Sequence, residues 1–285
     1  MERSQLDACR DKRGFIDISC LKDEKSNFVF ASNAKFIYEL DNCQVMFKSY
    51  SDEENLLSIG AFNEVLYYRI AKKYGIFCAE YDFATFNEEN GTISYIIEGK
   101  SKSIYDISRK KYKSIEAICG EHLSYLELCA LFRKKYKKHF DTLKNELLRL
   151  IILDALVCHG DKSCTNLLIC ENESGVHLYS VDSSDLWGKY ISVSNRGKEL
   201  FSFLNSFECD TKKELLDLLY SIDINEEIDM LVKEYPIYAE IGKEVKILAN
   251  STKEAILQGG NNEIIKDYYL YPKREIKIIK GGKII

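Results

Sequence analysis

The chain lacks any continuous apolar stretch of about 20 residues, which excludes an ordinary membrane-spanning helix. Its first residues show neither the charged-then-apolar pattern of a signal peptide nor an Arg-rich amphipathic presequence. Hydrophobic residues make up 46% of the chain and charged residues 30%, the balance of an ordinary soluble protein. We therefore expect a cytoplasmic protein with no membrane association.

The 10 cysteines include no close C-x-x-C pair, and this excludes the commonest zinc and redox motifs. Cys158, Cys164 and Cys170 are evenly spaced, but the spacing does not match structural zinc sites and no paired histidines complete a ligand set. We expect reduced, mostly buried thiols. A net charge of −5 also disfavours nucleic-acid or anionic-membrane binding, and the basic segment 273–283 is interpreted as a frayed end or terminal strand.

The chain has no internal repeat, and its pattern changes from β-rich to helical along its length. Residues 27–31 and 35–40 predict a strand pair, and 44–48 predict the next strand. A helix over 61–74 ends before Gly75, and further strands follow at 80–86 and 92–97 around a turn at 87–91.

The second half begins with a polar stretch, 100–114, that we interpret as a linker or mobile surface segment. Apolar periodicity then predicts helices near 122–138, 143–158, 196–207, 212–222, 226–235, 237–249 and 252–258. Thr211 with Glu214, and Ser251 with Glu254, fit capping boxes that begin two of these helices.

The most informative segment surrounds three polar residues, Asp161, Asn166 and Asp182. The second follows the first by five positions, and the third lies sixteen further on, the spacing that kinase-type enzymes use to hold a base and a divalent metal. Asp161 is the candidate base that orients an acceptor hydroxyl. Asn166 and Asp182 offer the oxygen ligands that Mg²⁺ prefers, next to a bound ATP. Any one of the three taken alone fits an ordinary turn residue.

A kinase architecture also requires a lysine on the third strand and a glutamate on the following helix. Lys48 and Glu64 lie at these positions and are the candidate phosphate contact and its partner. Each also fits a purely structural place, at a strand end or in a first helical turn. Ser32 and Asn33 lie on the turn expected to cover the phosphates, which lacks glycine and equally fits an ordinary hairpin.

Together these features predict an α+β, bilobal protein-kinase-like fold. We expect a small β-rich N-lobe with one helix over 1–98 and a large helical C-lobe over 99–285. Mg²⁺ and ATP are the expected cofactors.

From about residue 31 to 187 the chain resembles the HipA-like serine/threonine kinases. The resemblance lies in Lys48, the helix segment 60–65, the stretch 74–81, the apolar helix 150–156 and the closing segment 181–187. It implies that Asp161 is the catalytic base, Asn166 and Asp182 the Mg²⁺ ligands, and Lys48 with Glu64 the phosphate-binding pair. It also implies a protein substrate and an antitoxin-type partner, and makes Ser32 the candidate for autophosphorylation. Where family members commonly have Asn-x-Asp-Arg-His, this chain has His-Gly-Asp-Lys-Ser at 159–163.

Two alternatives remain open. The segment 159–166 is also similar to aminoglycoside and choline phosphotransferases, in which a carboxylate-rich pocket holds cationic substrates. Asp185 with Glu121 or Asp141 are candidates for such a pocket. The other alternative is a catalytically inactive kinase fold that serves as a binding module, a reading favoured by the absence of a glycine-rich turn.

Overall fold

The computed structural model describes residues 6–20, 27–29, 35–40, 43–50, 57–108, 124–160, 162–187, 193–258, 279–280 and 283–284. Within these ranges, no helix is both long enough and apolar enough to cross a bilayer. The fold contains two main sheets, followed in sequence by a set of helices.

The first sheet has six strands in the order β1-β5-β6-β4-β3-β2. The β1 strand pairs with β5 in parallel, and every other neighbouring pair is antiparallel. The predicted pairing of the segments near 27–31 and 35–40 is confirmed, as is the strand near 44–48. The strands are β1 (Ile16–Asp17), β2 (Asn27–Val29), β3 (Lys35–Leu40), β4 (Cys43–Ser49), β5 (Tyr81–Phe86) and β6 (Glu89–Tyr95).

The turn between β5 and β6 is shorter than predicted. Asn87 and Glu88 have φ values of 48° and 71°, so both central residues adopt the left-handed conformation of a two-residue hairpin turn. The strand therefore begins at Glu89, although residues 89–91 show no apolar alternation. Gly91 lies within this strand. A Cβ at this position would lie 2.2 Å from the carbonyl oxygen of Lys48, so only glycine fits there. The glycine allows β6 to approach β4 closely at Lys48.

Helix α1 (Ile59–Lys73) confirms the predicted helix, beginning two residues earlier than expected. The Ser58 side chain accepts a hydrogen bond from the Gly60 amide and caps the helix. Gly75 follows with φ at 62°, the left-handed conformation that ends many helices. Most of α1 is buried, because it packs against the first sheet on one side and against a later helix on another.

The predicted linker is wrong over its described part. Residues Lys100–Ser103 form strand β7, and Ile104–Ser108 form a short helix, α2. The polar sequence of β7 gives no alternating pattern, but its backbone pairs with β8 (Leu167–Asn172), which pairs with β9 (Gly175–Ser180). Residues 109–114 lie outside the described ranges. The proposed lobe boundary at 98 and 99 falls between β6 of the first sheet and β7 of the second.

The remaining helices match most predicted segments, with two corrections. The segments near 237–249 and 252–258 form one 20-residue helix, so Ser251 lies inside it and begins no helix. Thr211 lies inside another helix, which begins at Cys209. In the described residues, the helices that follow α2 are α3 (Tyr125–Lys135), α4 (Phe140–Leu156), α5 (Val193–Leu204), α6 (Cys209–Ser221), α7 (Ile224–Glu234) and α8 (Ala239–Gln258).

The C-terminal helices pack directly on the first sheet and on α1. Tyr238, in a 3-10 turn after α7, stacks on Phe83 of β5 with ring centroids 4.4 Å apart, and its ring lies 5.4 Å from that of Phe62 on α1. Phe15 stacks on both Phe83 and Tyr238. A large buried apolar core therefore extends from the first sheet into the helical half, and a second, smaller cluster in the first sheet includes Val45, Phe47 and Ile93.

A capping box begins α3, where the Ser124 side chain accepts from the Glu127 amide and the Glu127 carboxylate accepts from the Ser124 amide. We expect Ser124→Ala to lower the free energy of unfolding by about 1 kcal/mol, as loss of an N-cap typically does. Thr211→Ala is the control, because Thr211 lies inside α6 and caps nothing. Urea unfolding of both variants checks this, and an equal loss from both would contradict the helix starts described above.

Candidate functional site

Lys48 forms a buried ion pair with Glu64. The Lys48 Nζ, at the end of β4, lies 3.0 Å from Glu64 Oε1 on α1, and the two side chains are 5% and 0% exposed. The other carboxylate oxygen accepts a hydrogen bond of 2.6 Å from the Thr92 hydroxyl. Thr92 lies directly opposite Lys48 in the β4–β6 pairing. Both oxygens of this fully buried carboxylate are thus satisfied, which holds Glu64 in one orientation.

Asp182 completes the group from the other half of the chain. Its Oδ1 lies 2.6 Å from Lys48 Nζ, and its side chain is 30% exposed. Asp182 follows β9 and has a φ of 55°, the left-handed region that non-glycine residues adopt uncommonly. The backbone amide of Asp182 donates to the Tyr81 hydroxyl at 2.9 Å, which stabilises this conformation. The strained backbone turns the carboxylate of Asp182 towards Lys48.

Ser184 and Asn63 join α1 to the segment after β9. The Asn63 side-chain amide donates to the Ser184 carbonyl at 3.0 Å, and Lys48 Nζ lies 3.4 Å from the Ser184 hydroxyl. Asn63 precedes Glu64 on α1, so the same helical turn contacts both Lys48 and the segment that bears Asp182. Sequence reasoning did not identify Asn63, Thr92, Tyr81 or Ser184, since each is a common residue whose role depends on its position across the fold.

Asn166 lies next to Asp182 along the second sheet. The amide of Val181 donates to the Asn166 carbonyl at 3.0 Å, and the Asn166 amide closes a turn with the Ser163 carbonyl. Asn166 is buried while Asp182 remains partly exposed, and the two residues enter the site on adjacent backbone segments. These oxygen donors fit Mg²⁺, which takes one or two protein ligands and completes its shell with phosphates and waters. The described residues contain no cluster of three or more His, Cys, Asp or Glu side chains that could hold a metal by itself.

Three predicted site residues, Asp161, Ser32 and Asn33, lie outside the described ranges. The neighbours of Asp161 are described. The Gly160 amide donates to the Asp185 carbonyl at 2.7 Å, and a Cβ at Gly160 would lie 2.2 Å from an Asp185 carboxylate oxygen. The absence of a side chain at position 160 thus lets the segment after Asp182 lie against the loop that contains Asp161.

If the protein phosphorylated a small cationic molecule, Asp185 with Glu121 or Asp141 would form a carboxylate pocket. The described residues do not form this pocket. Asp185 is exposed and lies beside Gly160, but Asp141 is in the first turn of α4. The opposite end of this 17-residue helix leads into the 159–166 loop, roughly 20 Å away at 1.5 Å per residue. Glu121 lies outside the described ranges.

The charges around Lys48 determine its protonation. Burial favours the neutral amine, but the carboxylates of Glu64 and Asp182 outweigh it, so the pKa of Lys48 rises above its ordinary value. Burial also raises the pKa of Tyr81, with the Glu64 charge acting in the same direction. Lys48 is therefore a cation, and Tyr81 a neutral hydroxyl, at any physiological pH.

Removing the Lys48 charge should destabilise the fold. Lys48→Met leaves the buried Glu64 carboxylate without its cation, and we expect a loss of about 3–5 kcal/mol in the free energy of unfolding. The double variant Lys48→Met/Glu64→Leu should recover much of that loss, because no unpaired buried charge remains. Urea unfolding of the two variants measures this difference, and equal losses would contradict the pairing.

The same pair predicts a pH dependence. Because the pKa of Lys48 is raised in the folded state, its contribution to stability is fully present below the ordinary value of 10.5 and is lost as pH rises through the folded pKa. The difference in unfolding free energy between the wild type and Lys48→Met/Glu64→Leu, which keeps no unpaired buried carboxylate, should stay constant from neutral pH to about 10 and then decrease. A difference that decreases already between pH 7 and 9 would contradict the raised pKa.

Comparisons with known proteins support the fold. No protein-family model matches the chain, and no curated protein sequence matches it. Among solved structures, the proinflammatory kinase CtkA of Helicobacter pylori is similar with a TM-score of 0.60 and 14% identity, over 86% of this chain and 97% of CtkA.

A second similar structure is HipA of Shewanella oneidensis MR-1, from a toxin–antitoxin complex with HipB and operator DNA. Its TM-score is 0.54 at 15% identity, and the match covers 83% of this chain and 66% of HipA. Choline kinase LicA of Streptococcus pneumoniae also matches, but its TM-score of 0.31 is too low to support a conclusion. The predicted α+β, bilobal kinase-like fold is thus confirmed, and the resemblance to HipA-like kinases holds at the level of the fold.

Proposed function

We propose that this protein is an ATP-dependent phosphotransferase, and specifically a HipA-like serine/threonine kinase that transfers the γ-phosphoryl group of Mg-ATP to a protein hydroxyl. The observation that carries the proposal is the meeting of Lys48, Glu64 and Asp182 at one point, with Asn166 on the neighbouring segment. These residues come from four separate segments of the sequence. A kinase site requires this set of a phosphate-binding lysine, its orienting glutamate and two metal ligands.

In the proposed mechanism, Glu64 holds the Lys48 ammonium so that it can bind the α- and β-phosphates of ATP. Asp182 and Asn166 provide the oxygen ligands for Mg²⁺. When bound, Mg²⁺ neutralises the phosphate charge that develops during transfer. Asp161 accepts the proton of the acceptor hydroxyl and orients its oxygen in line with the γ-phosphorus.

The contact between Lys48 and Asp182 involves a carboxylate that is also a proposed metal ligand. Lys48 Nζ lies 2.6 Å from Asp182 Oδ1, so the cation occupies part of the coordination space of this carboxylate. Glu64, with its side chain fully buried and hydrogen-bonded to Thr92, keeps the ammonium anchored when Asp182 turns to a metal ion. Lys48 thus keeps one fixed partner and one exchangeable partner.

Protein as the substrate class is supported by the resemblance to HipA-like kinases in the segments 60–65 and 74–81. It is also supported by the placement of Asp141, which lies far from the 159–166 loop and so removes one member of the carboxylate pocket expected for a cationic small molecule. Incubation with γ-labelled ATP and Mg²⁺ separates the readings. Label on protein supports the proposal, label on an added aminoglycoside or choline contradicts the substrate class, and nucleotide binding without any transfer indicates an inactive binding module.

The site residues predict distinct effects on binding and turnover. Mg-ATP at 100 times its Kd should stabilise the wild type by about 2.7 kcal/mol, measured as a rise in Tm. Asp161→Asn should reduce transfer by about 10²–10⁴-fold and leave this stabilisation nearly intact, because a base acts in the transfer step. Asp182→Asn should weaken both.

Asp185→Asn is the matched control, since Asp185 is an exposed carboxylate three residues beyond Asp182 with no proposed part in metal binding. It should keep most of the nucleotide-induced rise in Tm. Wild-type transfer by Asp161→Asn would show that the base is wrongly assigned, and equal losses of nucleotide binding in Asp182→Asn and Asp185→Asn would remove Asp182 from the metal site.

The proposal extends to a toxin–antitoxin setting with an antitoxin-type protein partner in the cytoplasm. It is supported by the likeness to HipA, whose structure was solved together with HipB and operator DNA. Expression of the wild type in a bacterial host should arrest growth, and expression of Asp161→Asn at the same level should not. Equal growth of the two cultures would contradict the toxin reading but leave the phosphotransferase assignment intact.

A further inference from the structure

A second buried polar group, the Lys162 cluster, lies beneath the candidate site and consists of Tyr67, Asp154, Lys162 and Ser180. Lys162 Nζ is hydrogen-bonded to the Ser180 hydroxyl and lies 3.6 Å from Asp154 Oδ1. The Tyr67 hydroxyl donates to the same Asp154 oxygen at 2.8 Å, and its ring lies under the Lys162 ammonium at 5.0 Å. All four residues are buried, with Lys162 3% and Asp154 1% exposed.

The burial of Lys162 excludes direct contact with a nucleotide or a substrate in this conformation. Its side chain is fully enclosed, and its ammonium points to Asp154 and Ser180 in the interior. The residue is nevertheless adjacent in sequence to Asp161. Lys162 can therefore act on the proposed base only through the backbone that joins them.

Stability alone does not account for the cluster. Desolvating two charges offsets much of their attraction, and buried ion pairs can often be replaced by apolar side chains of similar volume without loss of stability. What such a pair adds is a defined geometry, because each charge accepts only a few arrangements of its partners. The cluster is thus better suited to fixing positions than to stabilising the core.

Three of the four members of the cluster lie close in sequence to a residue of the proposed site. Tyr67 is on α1 one turn beyond Glu64, Lys162 follows Asp161, and Ser180 precedes Asp182 by two positions. Asp154 lies near the end of α4, and its carbonyl accepts from the amide of His159 in the same loop. Three elements that carry proposed site residues, namely α1, the 159–166 loop and the strand leading to Asp182, therefore meet α4 in one interior group.

We infer that Lys162 and Asp154 form a positioning pair that fixes the loop containing Asp161 and Asn166 relative to α1 and to the strand leading to Asp182. This inference rests on the proposed phosphotransferase function for its kinetic consequences. Its structural consequences can be measured without turnover. Lys162 and Asp154 are positioning residues, since both act through the backbone segments they hold.

The test replaces the pair with apolar residues, in the double variant Lys162→Met/Asp154→Leu. Its Tm should fall only slightly, because no unpaired charge is buried and only the Tyr67 and Ser180 hydroxyls lose a partner. Its kcat should fall by about 10–100-fold, since displacement of a reacting group by about 1 Å costs up to 10²-fold. The KM for Mg-ATP should rise less than kcat falls, because Lys48 and Glu64 keep their positions and only the segments of Asn166 and Asp182 are displaced.

A matched control is the double variant Lys246→Gln/Asp229→Asn, which removes an ion pair between α7 and α8 at the surface. Its kcat should equal that of the wild type. A wild-type kcat in the Lys162→Met/Asp154→Leu protein would overturn the inference. A loss of kcat in the control as large as in that protein would overturn it as well.

Hydrogen–deuterium exchange gives a readout that does not depend on activity. In the apolar double variant, peptides covering 159–168 and 179–185 should exchange faster than in the wild type, and peptides of β5 and β6 should not. If the wild type transfers no phosphoryl group, the proposed function fails, and unchanged exchange in 159–168 would still decide against the positioning pair.

Tyr67→Phe covers the case in which the double variant does not fold. It removes only the hydroxyl that donates to Asp154 and keeps the ring beneath Lys162. We expect a several-fold loss of kcat and faster exchange over 159–168. Tyr74→Phe is its control, because Tyr74 bonds to the Ser221 carbonyl away from the cluster. Equal effects of the two substitutions would overturn the inference.

Discussion

The buried ammonium of Lys48 is the charge around which the two halves of the chain are arranged. It contacts Glu64 of α1 at 3.0 Å and Asp182 after β9 at 2.6 Å, so a strand, a helix and a distant loop must all be in place before its charge is compensated. A lysine with 5% of its side chain exposed and no carboxylate nearby would lose its proton or unfold the protein. The constraint that makes this charge tolerable also assembles the candidate site.

Helix α1 carries Glu64, and its position depends on the C-terminal helices. Lys73 bonds to Glu227 of α7 at 2.8 Å, Arg69 to Glu234 at 2.6 Å, and the Tyr74 hydroxyl to the Ser221 carbonyl. The Arg69–Glu234 pair is partly exposed and contributes little alone, whereas Glu227 is buried where it meets Lys73. Nearer the start of α1, Phe62 adds its apolar contact with Tyr238. The helix is therefore held from its middle to its end by residues more than 140 positions away.

The two polar groups have complementary places in this arrangement. The charged group around Lys48 is partly accessible to solvent through Asp182, the carboxylate proposed to bind a metal ion. The Lys162 cluster is closed to solvent and links the backbone segments behind the same residues. The proposed phosphoryl transfer requires both an accessible carboxylate and a fixed backbone behind it.

The sequence by itself determined the elements whose signal is local. The sequence predicted the strands with apolar alternation, the helix around Glu64 and the spacing of the polar residues from 161 to 182, since these patterns depend on neighbours along the chain. Sequence patterns did not predict β7, because Lys100–Ser103 has no apolar alternation and becomes a strand only through pairing with β8. They also predicted a helix start at Ser251, which lies inside α8. Tertiary structure alone decided that Thr92 faces Glu64, that Tyr81 supports the strained Asp182 and that Lys162 turns inward to Asp154. These residues meet only after distant segments pack, and a buried polar group takes its partners from whatever the fold brings within hydrogen-bonding distance.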